Sequence, residues 1–320
     1  MKILIIGGNG KVGEEIIKLL HSKVEITNIS RKKNCNKKIK QLIFDYQNLE
    51  LLQRKIDHYY DYIINLLPTS SHSIKKEFEV LNQKFGNYIF FSSFAVYSVS
   101  SKSIDENSEI LKNTNLDYIN RKIEYEKFLK KNKHIKSIVI RPTHIYNENS
   151  LPIIFSARSN SILYFIKKNK KIIAPINWNA NRNFISAKNI AQKLSFILKK
   201  KSKEKVYNFS SNLNLSWKKL FQIYSKILKI NDLNFFNCSD SSLKKIDKNL
   251  FLDLKYDKGI HLKIKKNYLT NHISKFDSKE YFIKNIKTCL KKRKYLDPKY
   301  HDKKLEGYFI NELTKIKNSN

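Results

Sequence analysis

Along the first 141 residues, short apolar runs alternate with longer stretches of helical spacing. The runs Lys2–Ile6, Val24–Ile29, Gln41–Phe44, Tyr62–Leu67, Tyr88–Ser92 and Ser137–Ile140 predict buried strands. Between them, the segments 12–21, 47–57, 73–84 and 117–132 predict helices. In the first of these, Val12, Ile16, Leu19 and Leu20 fall on one helical face. Repeated strand–helix alternation predicts an α/β fold, a doubly wound parallel sheet covered on both faces. A ligand of such a sheet lies at the carboxyl ends of the strands.

Beyond Pro142 the pattern loosens. Asn147 to Arg182 reads as loop and short helix, Ala187–Leu198 as helix, Val206–Phe209 as strand and Trp217–Leu228 as helix. From about residue 235 the chain is lysine-rich and irregular, apart from a helix at Lys279–Lys291, and Lys315 to Asn320 are expected to fray. The expected division is a dinucleotide-binding domain over 1–145, to which 183–210 returns. The segments 146–182 and 211–320 form a smaller, partly interleaved C-terminal substrate lobe.

Four of the seven glycines lie between positions 7 and 13, in Gly7-Gly8-Asn9-Gly10-Lys11-Val12-Gly13, between the first strand and the first helix. Strand, glycine turn and helix is the context of a dinucleotide-binding loop. Glycine permits the tight turn and lets backbone N–H groups, among them those of Asn9, Lys11 and Val12, approach a pyrophosphate. The helix N-terminus adds partial positive charge there.

Composition narrows the classes. Hydrophobic residues make up 41% of the 320, enough for a sizeable core. No apolar run approaches the ~18 residues of a membrane span. The chain runs straight into a strand, so no signal peptide is expected. Cys35, Cys238 and Cys289 are scattered, without metal spacing, and read as reduced thiols of a cytoplasmic protein. No metal site is expected. The net charge of +35 is spread along the chain together with many Asn and Ile, the pattern of an AT-rich coding sequence. The clusters Arg31-Lys32-Lys33, Lys199-Lys200-Lys201 and Lys291-Lys292-Arg293 lack interleaved aromatics, so nucleic acid is not the expected partner.

Tyr118 and Lys122 are four apart on a helical segment, with Glu126 four further on. An ammonium beside a phenol favours phenolate, and such a phenol exchanges protons with an alcohol or ketone. Tyr88 to Ser93 reads as a strand ending in two serines, at the edge where a cofactor binds. There Ser93 can donate a hydrogen bond to a substrate oxygen.

With these residues the sequence resembles the extended short-chain dehydrogenase/reductases, the NAD-dependent epimerase/dehydratase group, from residue 2 to about 225. Gly7, Gly10 and Gly13 match the glycine loop, Ser92-Ser93-Phe94-Ala95-Val96-Tyr97 the S-S-x-x-V-Y segment, and Tyr118, Lys122 and Glu126 the Y-x-x-x-K-x-x-x-E motif. Arg141-Pro142, Arg182-Asn183-Phe184-Ile185, Ile190-Ala191 and Tyr207-Asn208 follow in the family's order. The resemblance implies a Rossmann-type fold. Tyr118 would be the acid/base, Lys122 would hold the nicotinamide ribose, and Ser93 would orient the reacting oxygen. Asp45 would lie near the adenine, with Leu66 beside the cofactor. Tyr97 and Arg182 would meet the substrate, Arg182 at a nucleotide-sugar diphosphate. His144, after the sixth strand, is a further candidate at the substrate.

Three departures matter. The second strand ends in Asn28-Ile29-Ser30-Arg31-Lys32, without the acid that selects NAD. Ser30, Arg31 and Lys32 suit a 2′-phosphate, so NADP is the expected cofactor, with NAD as the alternative. Phe94 and Ala95 replace the Asp-Glu pair of sugar 4,6-dehydratases, which speaks against that chemistry. Ser98 and Asn147 replace glycines in substrate loops. The expectation is an NAD(P)-dependent epimerase or ketone/alcohol reductase acting on a nucleotide-activated sugar, with a homodimer implied by the resemblance. The rival is a non-catalytic protein of the same fold that binds RNA or is structural. Retention of Tyr118, Lys122 and Ser93 weighs against it.

Overall fold

The computed structural model describes residues 1–34, 36, 38–56, 58–67, 74–98, 103–152, 167–168, 171–200, 205–231, 234–241, 244, 251–252, 254–265, 267, 269, 274–291, 311 and 314. Cys35 lies outside them.

Alternating apolar side chains in each strand feed two cores on opposite faces of one sheet. Strands β1 (Lys2–Ile6), β2 (Glu25–Ser30), β3 (Lys40–Ile43), β4 (Tyr60–Asn65), β5 (Phe85–Phe91), β6 (Ser137–Pro142) and β10 (Val206–Phe209) form a seven-stranded sheet in the order β10-β6-β5-β4-β1-β2-β3. Every pairing in it is parallel. Ile3, Ile5, Ile89 and Phe91 face a core closed by α1 (Lys11–Leu20) and α5 (Ala187–Lys200). Leu4, Ile6, Tyr88 and Phe90 face the other, closed by α2 (Leu49–Lys55), α3 (Ile74–Val80) and α4 (Asp117–Lys131). The strand order reverses between β1 and β4, which both end in the same direction. In a sheet of this kind a ligand binds at the carboxyl ends of the strands at that switch point.

These elements belong to a first compact unit, residues 1–145, 185–211 and 264–274. The last segment was expected in the C-terminal lobe. Hydrogen bonds tie that segment to the first unit: buried Lys193 donates Nζ to the Leu269 carbonyl, and Asn267 Nδ2 donates to Glu106 (2.6 Å) and to the Asn208 carbonyl (3.1 Å).

The second unit comprises 146–184, 212–263 and 275–320. Where loop and short helix were expected it contains β8 (Lys171–Pro175) and most of β9 (Asn181–Ser186), which follow the short β7 (His144–Tyr146). β9 pairs antiparallel with β11 (Asn214–Ser216), and β8 pairs parallel with β12 (Asn234–Cys238), a strand within the supposedly irregular tail. These pairings are non-local, so no short window of sequence announces them. Helices α6 (Trp217–Ile227) and α7 (Lys279–Lys291) bring Trp217, Phe221 and Phe282 into a core with Tyr146 and Phe184.

Candidate active site

The glycine loop occupies the switch point. Gly7 sits at φ +85°, a conformation that side chains disfavour. A Cβ on Gly13 would lie 2.4 Å from the Gly8 Cα, so α1 can approach the loop only with glycine there. Gly10 precedes α1 and supplies no side-chain cap. The result is a bare backbone cradle at a helix N-terminus, a place where phosphate oxygens gain both N–H donors and the helix dipole. These residues fit a dinucleotide.

Around the loop runs a set of side-chain amides. Gly8 N donates to Asn28 Oδ1 (3.0 Å), and Asn28 and Asn34 both donate to Asn9 Oδ1 (3.0 and 2.8 Å). Asn9 Nδ2 and Ser30 Oγ each donate to the Lys32 carbonyl at 2.6 Å. The Ser30 hydroxyl expected at a phosphate is thus turned onto its own loop, while Arg31 and Lys32 are exposed at the lip. In the first turn of α1, Val12 is buried and Lys11 is exposed. Asp45 is exposed too, and its carboxylate accepts from Gln47 N (3.0 Å), turning the chain into α2. Leu66 donates its N–H to the Ile6 carbonyl (3.0 Å), extending the β1–β4 ladder past the end of β4.

The proton-handling residues come from two elements. Tyr118, in the first turn of α4, is 45% exposed, whereas Lys122, one turn on, is 2% exposed. Lys122 Nζ donates to the Phe91 carbonyl at the end of β5 and lies 5.8 Å from the Tyr118 ring centre and 4.6 Å from that of Phe90. That bond ties α4 to the strand end that carries Ser93. Burial pushes the Lys122 ammonium down to about 7, against the pull of Glu126 and with the push of Arg121. Ser93 is half-buried and caps a short turn, its Oγ accepting from Ala95 N (3.2 Å). That bond uses a lone pair and leaves the O–H as a donor. Phe94 and Ala95 are buried and carry no proton.

Two expected substrate contacts are otherwise engaged. Tyr97 is 0% exposed; its hydroxyl donates to Asn208 Oδ1 and accepts from Arg141 Nη1, both at 2.7 Å. Burial pushes its phenol up to about 12, although Arg141 pulls the other way. In this fold Tyr97 is a core residue. Arg182, in the second unit, is buried, with Nη1 donating to the Asp257 and Ile260 carbonyls (both 2.7 Å) and Nη2 paired with the Asp257 carboxylate. Its planar fork is occupied by protein groups. His144 is half-buried at the start of β7.

The structure adds pairings that sequence reading did not foresee. Glu126 and Arg141 form a buried ion pair, with Nε within 3.1 and 3.2 Å of the two carboxylate oxygens. Burial alone would lower the Arg141 value, but the hydrogen bonds and charge of Glu126 outweigh it and hold the guanidinium above its usual range. On α3, Glu77 is buried among three tyrosine hydroxyls. In the sequence it looks no different from its exposed neighbour Glu79. Cys289 is buried in the second unit. Among the described residues no set of three His, Cys, Asp or Glu is placed to hold a metal, and no helix is long and apolar enough to cross a membrane.

Solved structures share the fold. A UDP-N-acetylglucosamine 4-epimerase from Methanobrevibacter ruminantium M1, in complex with UDP-N-acetylmuramic acid, is 17% identical with a TM-score of 0.65, covering 91% of this chain and 97% of its own. The UDP-glucose 4-epimerase of Bifidobacterium longum, in complex with NAD+ and UDP, is 13% identical with a TM-score of 0.66, covering 93% of this chain and 100% of its own. The dTDP-glucose 4,6-dehydratase of Bacillus anthracis str. Ames, in complex with NAD, is 14% identical with a TM-score of 0.68, covering 93% of this chain and 99% of its own. No curated protein sequence matches. Residues 3–210 match the NAD dependent epimerase/dehydratase family, and the chain belongs to that family.

Proposed function

We propose that this chain is an NAD(P)-dependent epimerase, or a ketone/alcohol reductase, acting on a nucleotide-activated sugar, with NADP the favoured cofactor and NAD the alternative. The observation that carries the reading is Lys122: one buried ammonium joins the helix of Tyr118 to the strand end of Ser93, in the same unit as the bare glycine cradle. Tyr118 exchanges a proton with the sugar oxygen. Lys122 supplies positive charge beside the phenol ring, and Ser93 donates its O–H to hold the oxygen in line. Backbone N–H groups of the loop from Gly7 to Gly13 hold the pyrophosphate, and α1 directs its dipole there. A nicotinamide cofactor held there would supply hydride acceptance and return at the sugar carbon.

NADP is favoured by the absence of an acid at the end of β2 and by exposed Arg31 and Lys32 at its lip. The neighbours from Bifidobacterium longum and Methanobrevibacter ruminantium, in complexes with UDP and with UDP-N-acetylmuramic acid, support a uridine-diphosphate sugar as the first class to test. Buried Phe94 and Ala95 argue against elimination of water. A homodimer and a cytoplasmic location belong to the same proposal. The RNA-binding or structural alternative draws no support from the family or the neighbours.

The test measures NADPH and NADH dissociation constants by fluorescence, then turnover on a panel of nucleotide sugars chosen by thermal protection. Tighter NADPH binding and turnover that vanishes in Tyr118→Phe are expected. Full turnover in Tyr118→Phe sinks the catalytic assignment, and a strong NADH preference sinks the cofactor reading.

A further inference from the structure

Glu77 Oε1 accepts from the hydroxyls of Tyr46, Tyr88 (2.9 Å) and Tyr125, drawn from the segment after β3, from β5 and from α4. The Tyr88 and Tyr125 hydroxyls also lie 2.7 Å apart. Asn65, the last residue of β4, donates to the Tyr88 oxygen (2.8 Å) and accepts from Leu67 N (2.9 Å). Leu67 in turn fills the space beside Gly7. Among the described residues, the buried Glu77 Oε2 has no hydrogen-bond partner. Burial pushes the Glu77 carboxyl above its usual range, against the pull of the three phenols.

A buried carboxyl with one oxygen unsatisfied is a poor device for stability. An apolar set of the same shape commonly does as well. What the cluster does supply is direction, because one acceptor oxygen fixes hydroxyls from several elements at once. Tyr125 stands on α4 close to the next turn after Lys122. Its ring stacks on Phe90 at 4.2 Å, and Phe90 is the ring beside which Lys122 Nζ lies. What holds Tyr125 therefore helps to set the rotation and depth of α4 at Lys122, beside the Glu126–Arg141 pair.

We propose that Glu77 is a positioning residue for Lys122 and Tyr118, acting through the Tyr125 hydroxyl to fix α4 against the end of β5. The proposal rests on the reading that this pair does the chemistry.

Lysine Nζ titration, followed by NMR of ε-13C-lysine protein with Lys122 assigned through Lys122→Arg, tests the link without a substrate. The groups facing Lys122 are Arg121, Glu126 and the Tyr118 ring from its own helix and the Phe91 carbonyl from β5, with Arg141 of β6 behind Glu126. Substitution at Glu77 or Tyr125 alters none of them chemically. The Lys122 midpoint is expected to rise by about half a pH unit or more in Glu77→Leu and in Tyr125→Phe, as water reaches the loosened helix. It should stay nearer the wild-type value in Glu77→Gln, which keeps an acceptor. Turnover on the identified sugar should fall roughly 10- to 100-fold in kcat with KM nearly unchanged. If Glu77→Leu does not fold, Tyr125→Phe decides, since its ring keeps the stack on Phe90. Folded variants that titrate and turn over like the wild type overturn the proposal. A shifted midpoint in a protein whose wild type binds no nicotinamide nucleotide leaves the link standing and overturns the functional reading instead.

Discussion

Helix α4 carries two consecutive turns with opposite duties. The first, around Tyr118, is open: its phenol is 45% exposed. The next, around Tyr125 and Glu126, is sealed, with Tyr125 on the Glu77 cluster and Glu126 on Arg141. Lys122 stands between them, buried yet within reach of the Tyr118 ring. Chemistry needs an accessible proton donor whose position does not wander. The open turn supplies access, and the sealed turn supplies the fixed position. Sealing is achieved in two ways: a full charge pair at Glu126, and a carboxyl among neutral phenols at Glu77.

The contrast can be broken at either end. The largest effect is expected from Tyr118→Phe, about 10²- to 10⁴-fold lower turnover with melting temperature and cofactor affinity unchanged. A drop in stability there would show that the open turn is structural after all. Next, Glu126→Ala leaves the Arg141 guanidinium buried without its partner, and equilibrium unfolding should register a loss of about 3–5 kcal/mol. A loss below about 1 kcal/mol would mean that water reaches the pair and the turn is not sealed. Smaller again, Tyr97→Phe orphans Asn208 Oδ1 and one Arg141 N–H and should cost about 1–3 kcal/mol by denaturant titration. Cofactor binding should be unaltered in that variant.

A further effect, which needs no substitution to appear, is in pH. Lys122 titrates at about 7 in the folded protein, below its value in an unfolded chain. The unfolded state therefore binds the extra proton between about pH 7 and the ordinary lysine range. Stability should rise with pH through that window, by at most about 1.4 kcal/mol per unit from this group. Lys122→Met should flatten that rise relative to the wild type. An unchanged slope would mean that Lys122 is not buried in solution.

Much of the first unit was legible because its signals are local. Four clustered glycines, strands apolar on both faces and the spacing of Tyr118 and Lys122 each fit within a short window. The second unit was less legible, since β8, β9 and β12 are made by pairings distant in sequence. Within the site, Tyr97 and Arg182 were expected at the substrate by resemblance. Both are buried and bonded to protein groups, and neither burial nor partners are written in a motif. Glu77 shows the same limit from the other side: beside Glu79 it is one more helix carboxylate until Tyr46, Tyr88 and Tyr125 are brought around it.

The sequence by itself determined the sheet, the glycine cradle and the residue types that handle a proton, because backbone conformation and side-chain periodicity act over a few residues. The tertiary structure decided which of those residues are open and which are sealed. Exposure and hydrogen-bond partners depend on segments tens of residues apart meeting at one place, as at the two turns of α4.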